Sequence, residues 1–269
     1  MKIGFIGAGN MANALMTGIQ YNENIAKDDI YVADNDSDKL SHITKNYGFN
    51  VSNSNDEVIK NAKDILFLCI KPQVFDEIAS ELKKSIGNDQ IVVSIMAGKS
   101  IGFLSEKLST ENVVRVMPNT PCLVRAGICA VATNDTIKKD KRFDVILSIL
   151  RGAGEAEVVD ERYINAITQV SGASPAWVFM MIEALADGGV ECGMSRDMAY
   201  KFATNAVYGS GKLAVAKYNE SKTHPGVLKD MVTSPAGTTI EGVRILEENG
   251  FRGAIIDAVL ASYARSLEL

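Results

Sequence analysis

The chain has 269 residues, enough for one large or two medium domains, and its 46% hydrophobic and 23% charged residues are the balance of an ordinary globular protein. A formal net charge of −5 argues against a nucleic-acid or anionic-membrane surface, both of which need clustered Lys/Arg, and no stretch nears the roughly 18 apolar residues of a membrane span. Cys69, Cys122, Cys129 and Cys192 lack metal-ligand spacing and sit in apolar contexts, so they are expected to be reduced core residues, with no metal bound, in a cytoplasmic protein. The chain enters a strand at once, without a basic and apolar leader pattern, and this carries the same expectation.

An apolar strand at residues 2–6 runs into Gly7-Ala8-Gly9-Asn10-Met11-Ala12, after which Ala14, Leu15, Gly18 and Ile19 continue at helical spacing. G-x-G-x-x-A between a strand and a helix is the pattern of a dinucleotide-binding turn. Gly7 permits the tight turn, Gly9 lets a pyrophosphate approach the backbone, and Ala12 lets helix and strand pack closely. The second strand spans 30–33 and delivers Asp34, where an acid accepts hydrogen bonds from the adenosine ribose. Asp34-Asn35-Asp36-Ser37-Asp38 is also a turn and helix-start cluster, and the two roles are compatible. A carboxylate at this place disfavours the 2′-phosphate of NADPH, with Lys39 close enough in sequence to offset it. A weak third strand at 50–51, a short helix at 55–61 and an apolar fourth strand at 64–70 follow. The last ends at Lys71-Pro72-Gln73, because proline stops the ladder.

Strand exits at the carboxyl edge of an open α/β sheet are where ligands bind. Three exits carry distinctive residues: Ile70-Lys71-Pro72-Gln73, Ser94-Ile95-Met96-Ala97-Gly98 and Arg115-Val116-Met117-Pro118-Asn119-Thr120-Pro121. Lys71 can stabilise negative charge, while Pro118 and Pro121 stiffen a loop whose Asn119 and Thr120 can donate and accept beside a nicotinamide amide. Each exit taken singly also reads as a strand-ending turn. Strands at 127–133 and 157–159 flank a helix at 141–150, so strands alternate with helices as far as Asp160. That is an α/β, doubly wound, mostly parallel sheet of Rossmann type over residues 1–161.

From Tyr163 the periodicity is helical, with segments at 176–188, 195–218, 226–231, 238–249 and 254–267, giving an all-α domain over 162–269 joined without a Pro/Ser-rich spacer. Its apolar residues, among them Trp177, Phe179, Met180, Leu185 and Phe202, occupy more than one helix face, so a second copy of the chain is expected to cover them. Gly172 and Ala173 read as close-packing residues and His224, before Pro225, as a turn residue. The turn Ser234-Pro235-Ala236-Gly237 then feeds Thr238-Thr239 at a helix start. Unpaired N–H groups and the positive end of the helix dipole form a seat there for a carboxylate or phosphate without any Arg or Lys. The hydroxyls of Ser234, Thr238 and Thr239 would orient the anion's carrier; an ordinary capped helix is the plain alternative.

The run His224-Pro225…Leu228-Lys229-Asp230…Ser234-Pro235-Ala236-Gly237-Thr238-Thr239-Ile240 resembles the signature of the pyrroline-5-carboxylate reductases. Asn10-Met11, the three exit motifs, Ser171-Gly172-Ala173-Ser174-Pro175-Ala176 and Glu183-Ala184-Leu185-Ala186-Asp187 are similar to that family's segments and come in its order. The resemblance implies an enzyme that transfers hydride from NADPH or NADH to the C=N carbon of 1-pyrroline-5-carboxylate, releasing proline. It implies a cofactor held at Gly7, Gly9, Asn10, Met11, Asp34, Lys71, Pro72, Ala97 and Asn119. The substrate carboxylate would lie on the N–H groups around Ser234, Gly237 and Thr238, with Thr239 hydrogen-bonding the ring nitrogen. It further implies an interlocked homodimer in which residues 234–239 of one chain face the nicotinamide held by the other. Ala236, Ala173 and Trp177 depart from the usual glycine, serine and tyrosine; at Ala236 the backbone has either a negative φ or a reshaped loop.

Little acid–base machinery is needed, since the imine nitrogen can arrive protonated, and the chain has only two histidines. A β-hydroxyacid dehydrogenase shares this layout but implies a catalytic lysine in the first inter-domain helix, and residues 170–188 contain none. A non-catalytic dinucleotide sensor, marked by erosion of residues 234–239, and a reductase of a related six-membered cyclic imine are the other readings.

Overall fold

In the computed structural model, which describes residues 1–20 and 25–267, the chain forms two compact units, Met1–Ala173 with the chain end from Ser266, and Ser174–Arg265. The first unit contains β1 (Ile3–Ile6), α1 (Asn10–Ile19), β2 (Ile30–Ala33), α2 (Ser37–Tyr47), β3 (Asn50–Ser52), α3 (Asn55–Asn61), β4 (Ile65–Leu68) and α4 (Pro72–Ser85). It continues with β5 (Ile91–Ser94), α5 (Ile101–Leu108), β6 (Val113–Met117), β7 (Gly127–Thr133), α6 (Asp135–Lys138), α7 (Lys141–Gly152), β8 (Gly154–Val158) and α8 (Ile164–Ile167). A π-helical turn, Thr168–Ala173, closes it.

The eight strands form one sheet in the order β3-β2-β1-β4-β5-β6-β7-β8, parallel throughout except between β6 and β7. This is a doubly wound Rossmann-type sheet, as expected from the alternating pattern. The chain order reverses between β1 and β4, which makes the carboxyl edge of these strands the natural crevice for a ligand. Strand side chains alternate into two cores. Ile3, Phe5, Ile65 and Phe67 pack with α1, α2 and α7 residues such as Leu15, Ile43 and Ile146. Ile6, Leu66 and Leu68 pack with Val58, Phe75 and Leu104 of α3, α4 and α5. Burial on both faces is why β1 and β4 read as continuous apolar runs. β8 starts three residues before the strand expected at 157–159: Glu155 and Glu157 are exposed and only the small Ala156 is buried, so an edge strand leaves little apolar signal.

Residues beyond 161 remain attached to the sheet. Arg115, buried on β6, donates from Nη1 to Glu161 Oε1 (3.0 Å) and from Nη2 to Asn165 Oδ1 (3.1 Å), and Glu161 Oε1 also accepts the Ile101 N–H that opens α5 (2.7 Å). A buried guanidinium needs such partners, and they hold the 161–165 turn against the strand.

The second unit is helical: α9 (Ser174–Glu191), α10 (Arg196–Ser221), α11 (Pro225–Met231), α12 (Thr238–Glu248) and α13 (Phe251–Ser266). His224 caps α11, its Nδ1 accepting the Gly226 N–H at 3.0 Å with Pro225 in the first helical position, so its role is that of a turn residue. Among the described residues of this unit the buried apolar side chains are Ala186, Ala199 and Ala203, whereas Met180 and Phe202 are 65% and 64% exposed. Three alanines are not a core for a unit of this size, and apolar surface on this scale marks a face that another protein surface covers. Cys192, just past α9, is exposed, which corrects the expectation that all four cysteines are core residues; Cys122 and Cys129 are buried, Cys69 is partly so, and all four are free. Among the described residues no helix is long and apolar enough to cross a membrane, and no His/Cys/Asp/Glu cluster could hold a metal ion.

Candidate active site

Gly7 leaves β1 at φ 98°, a left-handed conformation, and donates its N–H to Ala33 O of β2 at 2.7 Å. A Cβ there would lie 2.6 Å from Cys69 O, so both the backbone angle and the neighbouring β4 exit require glycine. Gly9 is different. Its φ of −73° suits any residue, but a Cβ on it would point into space with nothing within 4 Å. Gly9 is also the N-cap of α1 and brings no side chain to the helix start, so the first-turn N–H groups at Asn10, Met11 and Ala12 face an open cradle. These observations fit a pyrophosphate at the loop. Asn13, which the sequence reading did not single out, braces the cradle from α1: its Nδ2 donates to Ala8 O (2.9 Å) and Gly9 O (3.0 Å). Its spacing of one helical turn from Gly9 was the available signal.

A cleft of ≈ 470 Å³ runs from Ala8, Gly9 and Asn10 to Asp38, Lys39 and His42 on α2. Asp34, immediately after β2, accepts the Ala8 N–H at Oδ2 (2.8 Å) and the Asp36 N–H at Oδ1 (2.9 Å). The turn role is in place, since these bonds shape the entry into α2, and they hold the carboxylate against the Gly-rich loop. Lys71 and Pro72 form the N-cap and first residue of α4, beyond β4, and Ala97 is exposed beyond β5.

Asn119 is placed otherwise than its reading beside a nicotinamide amide suggests. It is 9% exposed; its Oδ1 accepts the Ile128 N–H of β7 (2.9 Å) and its Nδ2 donates to Ser171 O of the π-helical turn (3.1 Å). The side chain thus ties the β6 exit to β7 and to the segment leading out of the sheet. Only tertiary proximity of residues 128 and 171 reveals this.

In the second unit, Ser234–Gly237 is a tight turn closed by Gly237 N–H donating to Ser234 O at 3.1 Å, with Ala236 at φ 55°. Proline second and a positive φ third is the pattern of a type II turn. The alternative of a negative φ at Ala236 is therefore wrong: this chain keeps the turn and accepts an alanine in the left-handed region. Gly237 is the N-cap of α12, and a Cβ on it would crowd Ser234 Oγ, so a larger residue there would require that hydroxyl to rotate away. Thr238 and Thr239 open α12, and both are exposed. Ala236→Gly is expected to stabilise the folded protein by about 1 kcal/mol, because it relieves the Cβ strain of the left-handed conformation at a position glycine tolerates. Urea midpoints at fixed protein concentration measure this; an unchanged or lower midpoint means the turn is unstrained.

The helix starts sort the molecule. Seven of the described α-helices begin at a residue whose side chain accepts first-turn N–H groups: α2 (Asp36), α3 (Ser54), α5 (Ser100), α6 (Asn134), α7 (Asp140), α10 (Ser195) and α11 (His224). Three that also start from an extended residue have no such cap: α1 at Gly9, α4 at Lys71 and α12 at Gly237. These three lie at the Gly-rich loop, the β4 exit and the Ser/Thr turn, so the chain leaves helix dipoles uncapped at both places where an anion was expected, and at the β4 exit beside Lys71.

Comparisons with known proteins agree with this geometry. A family profile described as pyrroline-5-carboxylate reductase dimerisation matches residues 161–269, and one described as NADP oxidoreductase coenzyme F420-dependent matches residues 2–98. The chain is 44% identical to the pyrroline-5-carboxylate reductase of Escherichia coli over 269 residues, covering 100% of this chain and 98% of that one. Among solved structures, a pyrroline-5-carboxylate reductase from Coxiella burnetii aligns at a TM-score of 0.88 with 30% identity, covering 99% of this chain and 97% of the other. A Plasmodium falciparum pyrroline carboxylate reductase with NADP bound aligns at 0.84 with 31% identity over the same shares. Identity of this extent along the whole length, together with the matched dimerisation region, shows that the chain belongs to the pyrroline-5-carboxylate reductase family.

Proposed function

We propose that the protein reduces 1-pyrroline-5-carboxylate to proline with NADH or NADPH, as an enzyme of proline biosynthesis. The observation that carries this reading is the set of three uncapped helix starts, which coincide with the segments shared with the family. The nicotinamide cofactor supplies hydride to the C=N carbon; the π-electron pair of that bond becomes the lone pair of the ring nitrogen. The chain's residues bind and orient. Gly7, Gly9 and the N–H groups of Asn10 and Met11 hold the pyrophosphate, and Asp34 accepts from the ribose hydroxyls. Lys71, Pro72 and Ala97 line the nicotinamide side of the crevice, and Asn119 holds the adjoining loop in shape through Ile128 and Ser171.

On α12 the N–H groups following Gly237 receive the substrate carboxylate, assisted by Ser234 and Thr238, and the Thr239 hydroxyl accepts the N–H of the protonated imine. Fixing carboxylate and nitrogen together sets which carbon receives the hydride. The working form is a homodimer, since the apolar surface of α9 and α10 needs a second copy to cover it, and its setting is the cytoplasm.

Oxidation of NADH or NADPH by the purified protein in the presence of 1-pyrroline-5-carboxylate, with proline measured as product, tests the reading. Absence of turnover with both cofactors would overturn it.

A further inference from the structure

The two cofactors differ only by a phosphate on the 2′ oxygen of the adenosine ribose, a group carrying close to two negative charges at neutral pH. A protein accepts such a group with a helix N-terminus, with Lys or Arg side chains, or with both. At the carboxyl end of β2 both devices are already occupied.

The anion seat at the start of α2 is filled from within. Asp36 Oδ1 accepts the N–H groups of Asp38 (3.0 Å) and Lys39 (3.2 Å), so the positive end of this helix is closed by the protein's own carboxylate. These bonds, the one from Lys39 foremost, hold the Asp36 carboxyl below the usual carboxylate range, which keeps it ionised. The nearby cation is engaged as well: Lys39 Nζ lies 3.5 Å from Asp34 Oδ1 and 3.6 Å from Asp36 Oδ2, shared between two carboxylates. Asp38, which lines the cleft beside Lys39, adds a third acid to this turn.

Asp34 cannot swing away to make room. Its two oxygens are clamped by the Ala8 and Asp36 N–H groups, and the side chain is only 13% exposed. Each oxygen retains a lone pair for a ribose hydroxyl and would meet a phosphate at close range with like charge. The contrast with α1 is direct. There the N-cap is Gly9 and the seat stands open for a pyrophosphate, whereas one crossover later the equivalent seat is filled.

We propose that this chain selects NADH over NADPH, and that the selectivity resides in the clamped Asp34 carboxylate and the Asp36 carboxylate that fills the α2 anion seat. The proposal rests on the reading of the cleft as a nicotinamide-dinucleotide site.

Fluorescence titration of the full-length protein with NADH and with NADPH, in the absence of substrate, tests it. The wild-type Kd for NADPH should exceed that for NADH by about tenfold or more, the scale of one close like-charge contact near a protein surface. Asp36→Asn retains the oxygen that caps α2 and removes the charge, so the helix start persists and the Kd ratio should fall severalfold, chiefly through tighter NADPH binding. Asp34→Asn should lower the ratio further and also weaken NADH binding. Wild-type protein that binds NADPH as tightly as NADH, or a ratio unmoved in both variants, overturns the selectivity while leaving the dehydrogenase-type site intact. Failure to bind either dinucleotide overturns the cofactor site and this proposal together.

Discussion

Gly9→Asp and Thr239→Ala, each nearly inactive alone, are expected to restore turnover when the two chains are brought into one dimer by co-expression or subunit exchange. The first substitution damages only the cofactor site. Gly9 has an ordinary φ of −73° and free space at its Cβ position, so an aspartate is accommodated. As an N-cap it would even favour α1, in the way that Asp36 caps α2, while placing a carboxylate where the pyrophosphate belongs. The second damages only the substrate end, at an exposed residue of α12. If residues 234–239 of one chain serve the cofactor held by the other, a heterodimer contains one site with both defects and one site with neither. Random pairing of equal amounts gives half heterodimers, each with one good site of two, hence about a quarter of wild-type activity. Heterodimers that form yet show no activity above the single variants would place both halves of each site within one chain.

Thr239→Ala on its own should lower kcat/KM about 100-fold, since a hydrogen bond to the charged imine that strengthens toward the transition state contributes ~2–3 kcal/mol. Thr239→Ser, which retains the hydroxyl, should recover most of the loss, and Thr238→Ala should have the smaller effect. The positions have distinct places in the helix. Thr238 is the first residue of α12, next to the Gly237 N-cap, and Thr239 is the second, so their side chains leave the helix in different directions. Steady-state kinetics on the three variants decide the matter. Wild-type kinetics in Thr239→Ala with a crippled Thr238→Ala would move the assigned role by one residue.

Local chemistry made much of this protein legible in its sequence. Strand β1, the Gly7-to-Ala12 turn and helix α1 can be read directly, because a strand buried on both faces is continuously apolar and the left-handed backbone at Gly7 demands glycine. The five helices of the second unit follow from periodicity within a few residues, and Ser234 to Gly237 announces itself as a turn through proline and glycine. Whole-chain resemblance rests on the same short words, which is why it identified the family.

Other features depend on residues far apart in the chain. Asn119 looks like a cofactor contact in its motif, yet its partners are Ile128 and Ser171, and only the folded sheet brings those groups to it. Ala236 read as having either a negative φ or a reshaped loop; in the fold the Gly237 to Ser234 hydrogen bond closes the turn with Ala236 at φ 55°. Lys39 read as a possible counterweight to Asp34, and in the fold its ammonium does lie 3.5 Å from that carboxylate; that it is shared with Asp36 at 3.6 Å is what only the fold shows. β8 has too little apolar surface to announce where it begins, and its extent is set by pairing with β7. Propensity and pattern are properties of a few consecutive residues; the partners of a polar side chain are chosen by whichever backbone groups the packed chain delivers, and no local window contains them.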